Sequence, residues 1–581
     1  MSIGLARSLA PRLASPQYYA HHYAAAPYHL AAVAVLVVVA SLRLLYLSSL
    51  SELSLASDEA HYWDWSRHLD WCYYSKGPLV AWLIRAGCWF WGADVMPAVR
   101  LPAVLCNALT LLGIYLLVYR LFRDARLAFL ALLAGHTLPL LNVGGLMMTI
   151  DAPYTCAWTW AVYLAHRLLF PRGNTPYQTS EVRKSQRGEV SPGTRPSVPE
   201  AADMRRFQAT GRWWYTQGTW LVLGLVVAVG VLAKHNMALF VPSLGLFLLL
   251  SPAHRRELRQ PGFWLMAILG AIVGGGPILL WNAQHDWVTF LHVGTQATGV
   301  SAGGGLRWFG PLEFLATQAG LWLIFWFCLM LLGCFQVLRQ YVQGNVLPQQ
   351  LFLVCLALPM LLICLVFSIK VRIEPNWPVT AYVTGLILAG WMLWERWHLP
   401  TWRRTTYGWL LAGALFSVIL HQTAVLYPLV AHFLPEVSPR RWDPTCRLKG
   451  WHTLAAEVDT LRQQQAGTST MLFGTTWSYT GALAFHLNDQ PMVYCLGPVA
   501  GSRHSQYDFW LPNPLANPSV FAGRDAIIVG EITPQIRAAF ASIEPSKLVV
   551  AREQGLPVAQ WHVTVARQLK PEGFGAISQR Y

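Results

Sequence analysis

Apolar runs of roughly 18 to 24 residues recur along most of the chain, the length an α-helix needs to cross the hydrocarbon core of a bilayer. Only 12% of the 581 residues are charged and 54% are hydrophobic, against about a quarter charged in soluble domains. This pattern specifies a polytopic α-helical membrane protein. The formal charge of +15 does not point to nucleic acid, because the basic residues fall mostly between the apolar runs, as membrane topology requires. The first run, about His29 to Leu50, is too long for a cleavable signal peptide and lacks a small-residue cleavage site.

Eleven spans are expected, at 29–50, 97–119, 127–147, 152–169, 214–233, 235–250, 262–281, 311–337, 350–369, 377–394 and 407–428. Arg120, Arg123, Arg126, the 171–211 loop, Arg255, Arg256, Arg259, Arg339, Arg396, Arg403 and Arg404 then fall on one side. The positive-inside bias makes that side cytoplasmic, together with an N-terminal tail at 1–28. The membrane region is thus 29–435, with an external first loop at 51–96. Residues 171–211, rich in Pro, Gly, Ser and charge, predict a disordered cytoplasmic loop. From 436 to 581 short strand-like runs ("TMLFG", "PMVYCL", "DAIIVG", "KLVVAREQG") alternate with helical pieces at 450–465 and 533–543. They predict a small external α/β domain with a partly parallel sheet.

Under this topology the 51–96 loop, Asp151, Lys234, the 282–310 loop, the 370–376 turn and the C-terminal domain share one face. Asp58 and Glu59 follow the first span, where a carboxylate serves as general base or as the start of a helix. "YYSKGPLVAWLIRAGCWFWG" (73–92) opens at Pro78 and is too short to span. It reads as an interfacial helix anchored by Trp82, Trp89 and Trp91, with Lys76 at headgroup depth. That lysine fits a lipid phosphate or a snorkelling side chain. Asp151 stands at a helix mouth, as cap or as functional acid. Lys234, Lys370 and Arg372 interrupt apolar sequence, and arginine suits phosphate. Trp63, Trp65, Tyr73 and Tyr74 are expected chiefly to anchor the loop at the interface. Gly274–Gly276 reads as a close helix contact.

"SDEAHYWDWSRHLDWCYYSKGPLVAWLI" (from Ser57) resembles the first external loop of bacterial GT-C membrane glycosyltransferases related to the dolichyl-phosphate-mannose protein mannosyltransferases, among them the aminoarabinose transferases. "TIDAPYTCAW", "LAKHNMALFVP", "EPNWPVTAYVTGLILAG", "DPTCRLKGWHTLA", "LAFHLNDQPMVYCLG" and "SRHSQYDFW" continue the resemblance in family order to about residue 510. It implies a GT-C-like fold in a bacterial inner membrane and transfer from a polyprenyl-phosphate-linked sugar donor to a lipid, glycan or protein acceptor. Membrane lipids are implied as surroundings, with no nucleic acid. Asp58, with Glu59 and Asp151, would be catalytic, and Lys76, Lys234 and Arg372 would bind the donor phosphate. Tyr62, Tyr74, Asn376, Arg503 and Tyr507 would contact substrate. No cofactor is demanded, and a divalent ion shared by Asp58 and Asp151 is left open. One departure stands out: Gly77 occupies the place of the family's first turn proline. A transporter or flippase and a non-catalytic lipid-binding protein are the competing classes. Neither the absence of internal repeats nor the charges gathered at one mouth favours a transporter.

Overall fold

The computed structural model describes residues 16–50, 53–171, 200–298, 305–434, 437–465 and 470–577. Six helical stretches among them are long and apolar enough to cross a membrane: Ala25–Ser49, Met96–Phe122, Thr216–Ala233, Pro261–Gln284, Leu323–Val342 and Pro348–Phe367. A seventh is the pair Pro400–His421 and Thr423–Phe433, bent by 95°. All eleven expected spans are helical, but several are shorter or broken. The 127–147 run divides into Ala125–Thr137 and Pro139–Gly144. Leu138, preceding a proline, is driven to extended backbone (φ −73°, ψ 121°). Lys234 is likewise extended and starts a 3₁₀ turn at His235–Leu239 before the Phe240–Leu250 helix. The 311–337 run breaks at Trp322.

Two boundaries differ from expectation. The first helix begins at Pro16 rather than near 29, and residues 1–15 lie outside the described residues. Residues 172–199 of the expected disordered loop also lie outside them, whereas 200–211 belong to the Glu200–Ala233 helix. The expected close approach at the glycine run is present. A Cβ on Gly274 would stand 2.7 Å from the Ala228 carbonyl oxygen, so only glycine lets these helices meet.

The C-terminal domain holds one mixed sheet. Its strands are β1 (Met471–Gly474), β2 (Tyr494–Cys495), β3 (Ala526–Val529), β4 (Phe540–Ile543), β5 (Lys547–Glu553) and β6 (Leu556–Leu569), with β2-β1-β3-β6-β4 side by side and β5 also on β6. The β1–β2 and β1–β3 pairs are parallel and every pairing to β6 is antiparallel. β1 and β3 are buried throughout, as expected of short uninterrupted apolar runs. The expected 533–543 helix is corrected: it stops at Ala539 and continues as β4, whose pairing to β6 overrides local propensity.

The first-loop helix, Ser57–Arg67, is clamped between this domain and the membrane helices. It packs on the Trp477–His486 helix, where the Ser478 hydroxyl donates to the Ser57 hydroxyl at 2.6 Å. Trp63, Trp65, Tyr73 and Tyr74 are all buried. They are core residues rather than the interface anchors expected, each contributing about 1.5–3 kcal/mol of burial. The exposed apolar belt lies on the next helix, Leu79–Trp91, where Trp89 is 81% exposed beside Phe90. That helix is 13 residues long, too short to span a bilayer.

Candidate functional site

Asp58 and Glu59 open the Ser57–Arg67 helix, where carboxylates complement the helix dipole. Their side chains diverge. Glu59 is fully buried and accepts four hydrogen bonds. Arg100 donates through Nε at 2.8 Å and Nη2 at 2.7 Å, the Met148 amide at 2.8 Å, and the Ala56 amide at 2.9 Å. Glu59 therefore fastens the first loop to the Met96–Phe122 helix and to the 147–149 segment, and its oxygens are committed. That is a holding role in place of the catalytic one expected.

Asp58 is solvent-accessible, and its carboxylate takes no hydrogen bond among the described residues. The surrounding protein raises its carboxyl above the ordinary range, and the Lys76, Arg503 and Arg447 cations oppose that rise. It is thus an open base within electrostatic reach of three cations.

Lys76 sits on a turn held from several sides. The Tyr73 amide donates to the Lys76 carbonyl at 3.1 Å and the Tyr74 amide to Gln506 Oε1 at 2.6 Å. The Thr289 hydroxyl donates to the Tyr73 carbonyl at 2.9 Å. Next in sequence, a Cβ on Gly77 would lie 2.3 Å from the Leu232 carbonyl oxygen. Glycine is therefore what lets the turn press against the end of the Glu200–Ala233 helix. The Lys76 ammonium has no partner among the described residues. Burial, with Lys234 nearby, lowers its pKa to about 8, while Asp58 and Asp151 pull the other way.

Asp151 is bracketed. Lys234 Nζ donates to Oδ1 at 2.7 Å and Asn376 Nδ2 to Oδ2 at 2.5 Å, with the Lys234 ammonium also over the Tyr154 ring at 5.5 Å. This bridge separates two cavities. One, of about 230 Å³, has Lys76, Lys234 and Gln296 at its polar end and Met360, Ile363 and Phe367 along its wall. The other, of about 200 Å³, is lined by Asp151, Asn376, Thr149 and Asn107. It shares Val143 and Met147 with a mostly apolar groove of about 380 Å³ whose lining includes Leu146, Leu420 and Arg447.

The C-terminal domain contributes the remaining wall. Arg503 Nη1 meets His292 Nε2 at 2.9 Å, and the guanidinium lies 5.0 Å from the Trp477 ring centre. Tyr507 is buried and stacks on His61 at 5.1 Å. Tyr62 is buried, and its hydroxyl is driven far up by burial and then by the charges of Asp58 and Asp151. Tyr74 packs on His292 at 4.9 Å. The structure thus gathers Asp58, Tyr62, Lys76, Asp151, Lys234, Asn376 and Arg503 around one region. It leaves Arg372 outside: that side chain is 76% exposed and 3.7 Å from Glu313. Arg100, Arg447, His292 and Gln506 escape the sequence reading. Arg447 and Gln506 lie within quoted family segments, but nothing local marks the other two. Among the described residues no three His, Cys, Asp or Glu side chains are grouped to hold a metal ion.

The model of the dolichyl-phosphate-mannose-protein mannosyltransferase family matches residues 75–175 and 208–281. These segments carry Lys76, Asp151 and Lys234. Over 484 residues the chain is 28% identical to the lipid A galacturonosyltransferase RgtD of Rhizobium johnstonii, covering 82% of this chain and 88% of that one. In fold it is similar to crystal structures of ArnT from Cupriavidus metallidurans. The apo structure aligns with a TM-score of 0.52, and the one bound to undecaprenyl phosphate with 0.54. Each is 17% identical and covers 92% of this chain and 97% of the other. Family model, sequence relative and fold agree in what the chain is similar to: GT-C membrane glycosyltransferases related to the dolichyl-phosphate-mannose-protein mannosyltransferases.

Proposed function

We propose that this protein transfers a hexosyl group from a polyprenyl-phosphate-linked donor to a hydroxyl of a lipid-borne acceptor. The carrying observation is an unpartnered carboxylate, Asp58, within electrostatic reach of the free Lys76 ammonium, which itself lines a largely apolar cavity. The carrier chain lies along Met360, Ile363 and Phe367, and its phosphate meets Lys76 and Lys234. The undecaprenyl phosphate named for the ArnT structure supports this carrier class. The galacturonosyl and lipid A named for the Rhizobium relative support a hexosyl group and a lipid acceptor. The apolar groove beside Asp151 and Arg447 fits acyl chains.

In the reaction the Asp58 carboxylate takes the proton of the acceptor hydroxyl as its oxygen attacks the anomeric carbon. The bond from that carbon to the phosphate oxygen breaks, and its electron pair leaves on the phosphate. Lys76 neutralises the charge that develops there, while Asp151 holds Lys234 in place beside it. Direct attack inverts the anomeric centre. Products are the glycosylated acceptor and free polyprenyl phosphate. The positive-inside bias supports placing this site on the external face of a bacterial inner membrane, with the C-terminal domain extracytoplasmic. The test supplies purified protein with a panel of polyprenyl-phosphate sugars and acceptors and measures free polyprenyl phosphate. Wild type releases it and Asp58→Asn does not. Release by neither, with lipid carried across the bilayer or merely bound, would replace the transferase by a flippase or a lipid-binding protein.

A further inference from the structure

Pro375, Asn376 and Trp377 are consecutive, yet each lines a different cavity. Pro375 faces the groove of about 380 Å³, Asn376 the cavity of about 200 Å³ beside Asp151, and Trp377 the cavity of about 230 Å³ with Lys76 and Lys234. One short turn thus divides the spaces assigned above to donor and acceptor. Asn376 Nδ2 donates to Asp151 Oδ2 at 2.5 Å, while the other oxygen of that carboxylate takes Lys234 at 2.7 Å. If the turn shifts, Asp151 loses its second anchor and Lys234 moves with it.

What fixes the turn lies outside all three cavities. Its own backbone bonds, Trp377 N–H to the Glu374 carbonyl at 3.1 Å and Val379 N–H to the Asn376 carbonyl at 3.3 Å, use other carbonyls than that of Pro375. The Pro375 carbonyl accepts from Gln318 Nε2 at 3.3 Å, and Gln318 Oε1 accepts from the Tyr382 hydroxyl at 2.7 Å. Gln318 is fully buried on the Gly310–Leu321 helix and lines none of the three cavities. Its neighbours dictate its orientation: a carbonyl only accepts, so the NH₂ end must face Pro375 and the oxygen is left for the phenol. Tyr382 is itself held by stacking on Trp322 at 4.0 Å. A primary amide in apolar surroundings is costly unless both ends are hydrogen-bonded. Here both are, and one of them props the partition.

We propose that Gln318 is a positioning residue for the transfer: it holds the 375–377 turn so that Asn376 steadies Asp151, and Asp151 holds Lys234 toward the carrier phosphate. Gln318 touches no substrate and takes no part in bond breaking. This rests on the transferase reading and adds to it a residue that acts through Asn376. Tyr154 and Thr380, whose hydroxyls meet at 3.1 Å, brace the far end of the turn. Removing the amide therefore loosens the partition without unfolding it.

The test measures binding of undecaprenyl phosphate to the full-length protein in nanodiscs, and release of polyprenyl phosphate from the donor panel described above. Gln318→Met keeps length and volume but removes the strut. Its dissociation constant should rise about 5–10-fold, the worth of one lost hydrogen bond, with a like fall in kcat/KM. Tyr382→Phe, which keeps the ring stack, should give about a two- to threefold rise. The deciding measurement is the double variant: on an Asn376→Ala background, Gln318→Met should add less than about twofold, because both act on one carboxylate. Melting temperatures report folding, and Tyr382→Phe on the same background takes the place of Gln318→Met should that variant melt early. Full multiplication of the two single losses, or an unchanged dissociation constant in Gln318→Met, would overturn the proposal. Coupled losses in binding with no sugar released by wild type would keep Gln318 in this role toward the phosphate and remove the transferase reading. Absence of binding by wild type would remove both.

Discussion

Asp58 and Glu59 are consecutive on one helix, yet their carboxylates meet opposite surroundings: Asp58 stays open to solvent without a partner, whereas Glu59 is sealed beneath four donors. The helix turns about 100° per residue, so one of the pair faces the site while the other faces Arg100. The same acidic dipeptide thus provides a chemical group and the fastening that positions it.

The two carboxylates should be separable by mutation. Asp58→Asn should abolish turnover with the melting temperature near wild type, since it removes an unpartnered group. Glu59→Gln should instead destabilise the fold by about 3–5 kcal/mol, the cost of breaking a buried pair. Thermal unfolding in detergent and release of polyprenyl phosphate, measured on both variants, check this. Normal stability in the Glu59 variant would contradict the fastening role.

Activity should fall on both sides of neutral pH. Asp58 must be ionised to take a proton, and desolvation by the surrounding protein raises its carboxyl despite Lys76, Arg503 and Arg447, so the acid limb should lie above the ordinary carboxylate range. Lys76 must be protonated to meet the phosphate, and its pKa is lowered to about 8. Turnover should therefore decline as pH rises through that value. Lys76→Arg keeps its charge to far higher pH and should carry the alkaline limb upward in a kcat/KM profile. An unmoved limb would assign it to another group.

Gly77→Ala should weaken donor use at a distance from the chemistry. The added Cβ would be 2.3 Å from the Leu232 carbonyl oxygen, so the turn bearing Lys76 must retreat from Lys234. A displacement near 1 Å in a positioned group costs about 10²-fold. The expected result is a drop of that order in kcat/KM, larger than that of Gly408→Ala, where a Cβ meets nothing within 4 Å.

Lys234 and Arg372 should behave differently although both were expected at the phosphate. Lys234→Met removes the partner of a buried Asp151 and should lower activity by about 10²–10³-fold, as loss of a charge-stabilising donor does. Arg372→Ala removes an exposed side chain whose ion pair with Glu313 is worth about 0–1 kcal/mol. Turnover near wild type is expected, and a loss as deep as that of Lys234→Met would place Arg372 at the donor.

Much of the architecture was legible beforehand. Hydrophobic length and the distribution of arginines are properties of sequence because a bilayer filters segments one at a time. Asp151 and Lys234 were singled out because a charge amid apolar sequence is conspicuous. Strand β4 was not, since "FASI" extends a helical run and becomes strand only through β6. Trp63 and Trp65 were misplaced at the interface because an aromatic beside a membrane helix reads alike whether lipid or another domain covers it. Here the Trp477–His486 helix covers it.

Local length and composition were enough to specify a multi-span membrane protein and a small α/β domain at its end, because those features are written segment by segment. Only packing settled that Glu59 is occupied and Asp58 free, that Arg372 pairs with Glu313 in the open, and that His292 meets Arg503. Such assignments depend on which groups distant in sequence, 41 residues apart for Glu59 and Arg100 and 211 for Arg503 and His292, meet in space, and no local pattern records that meeting.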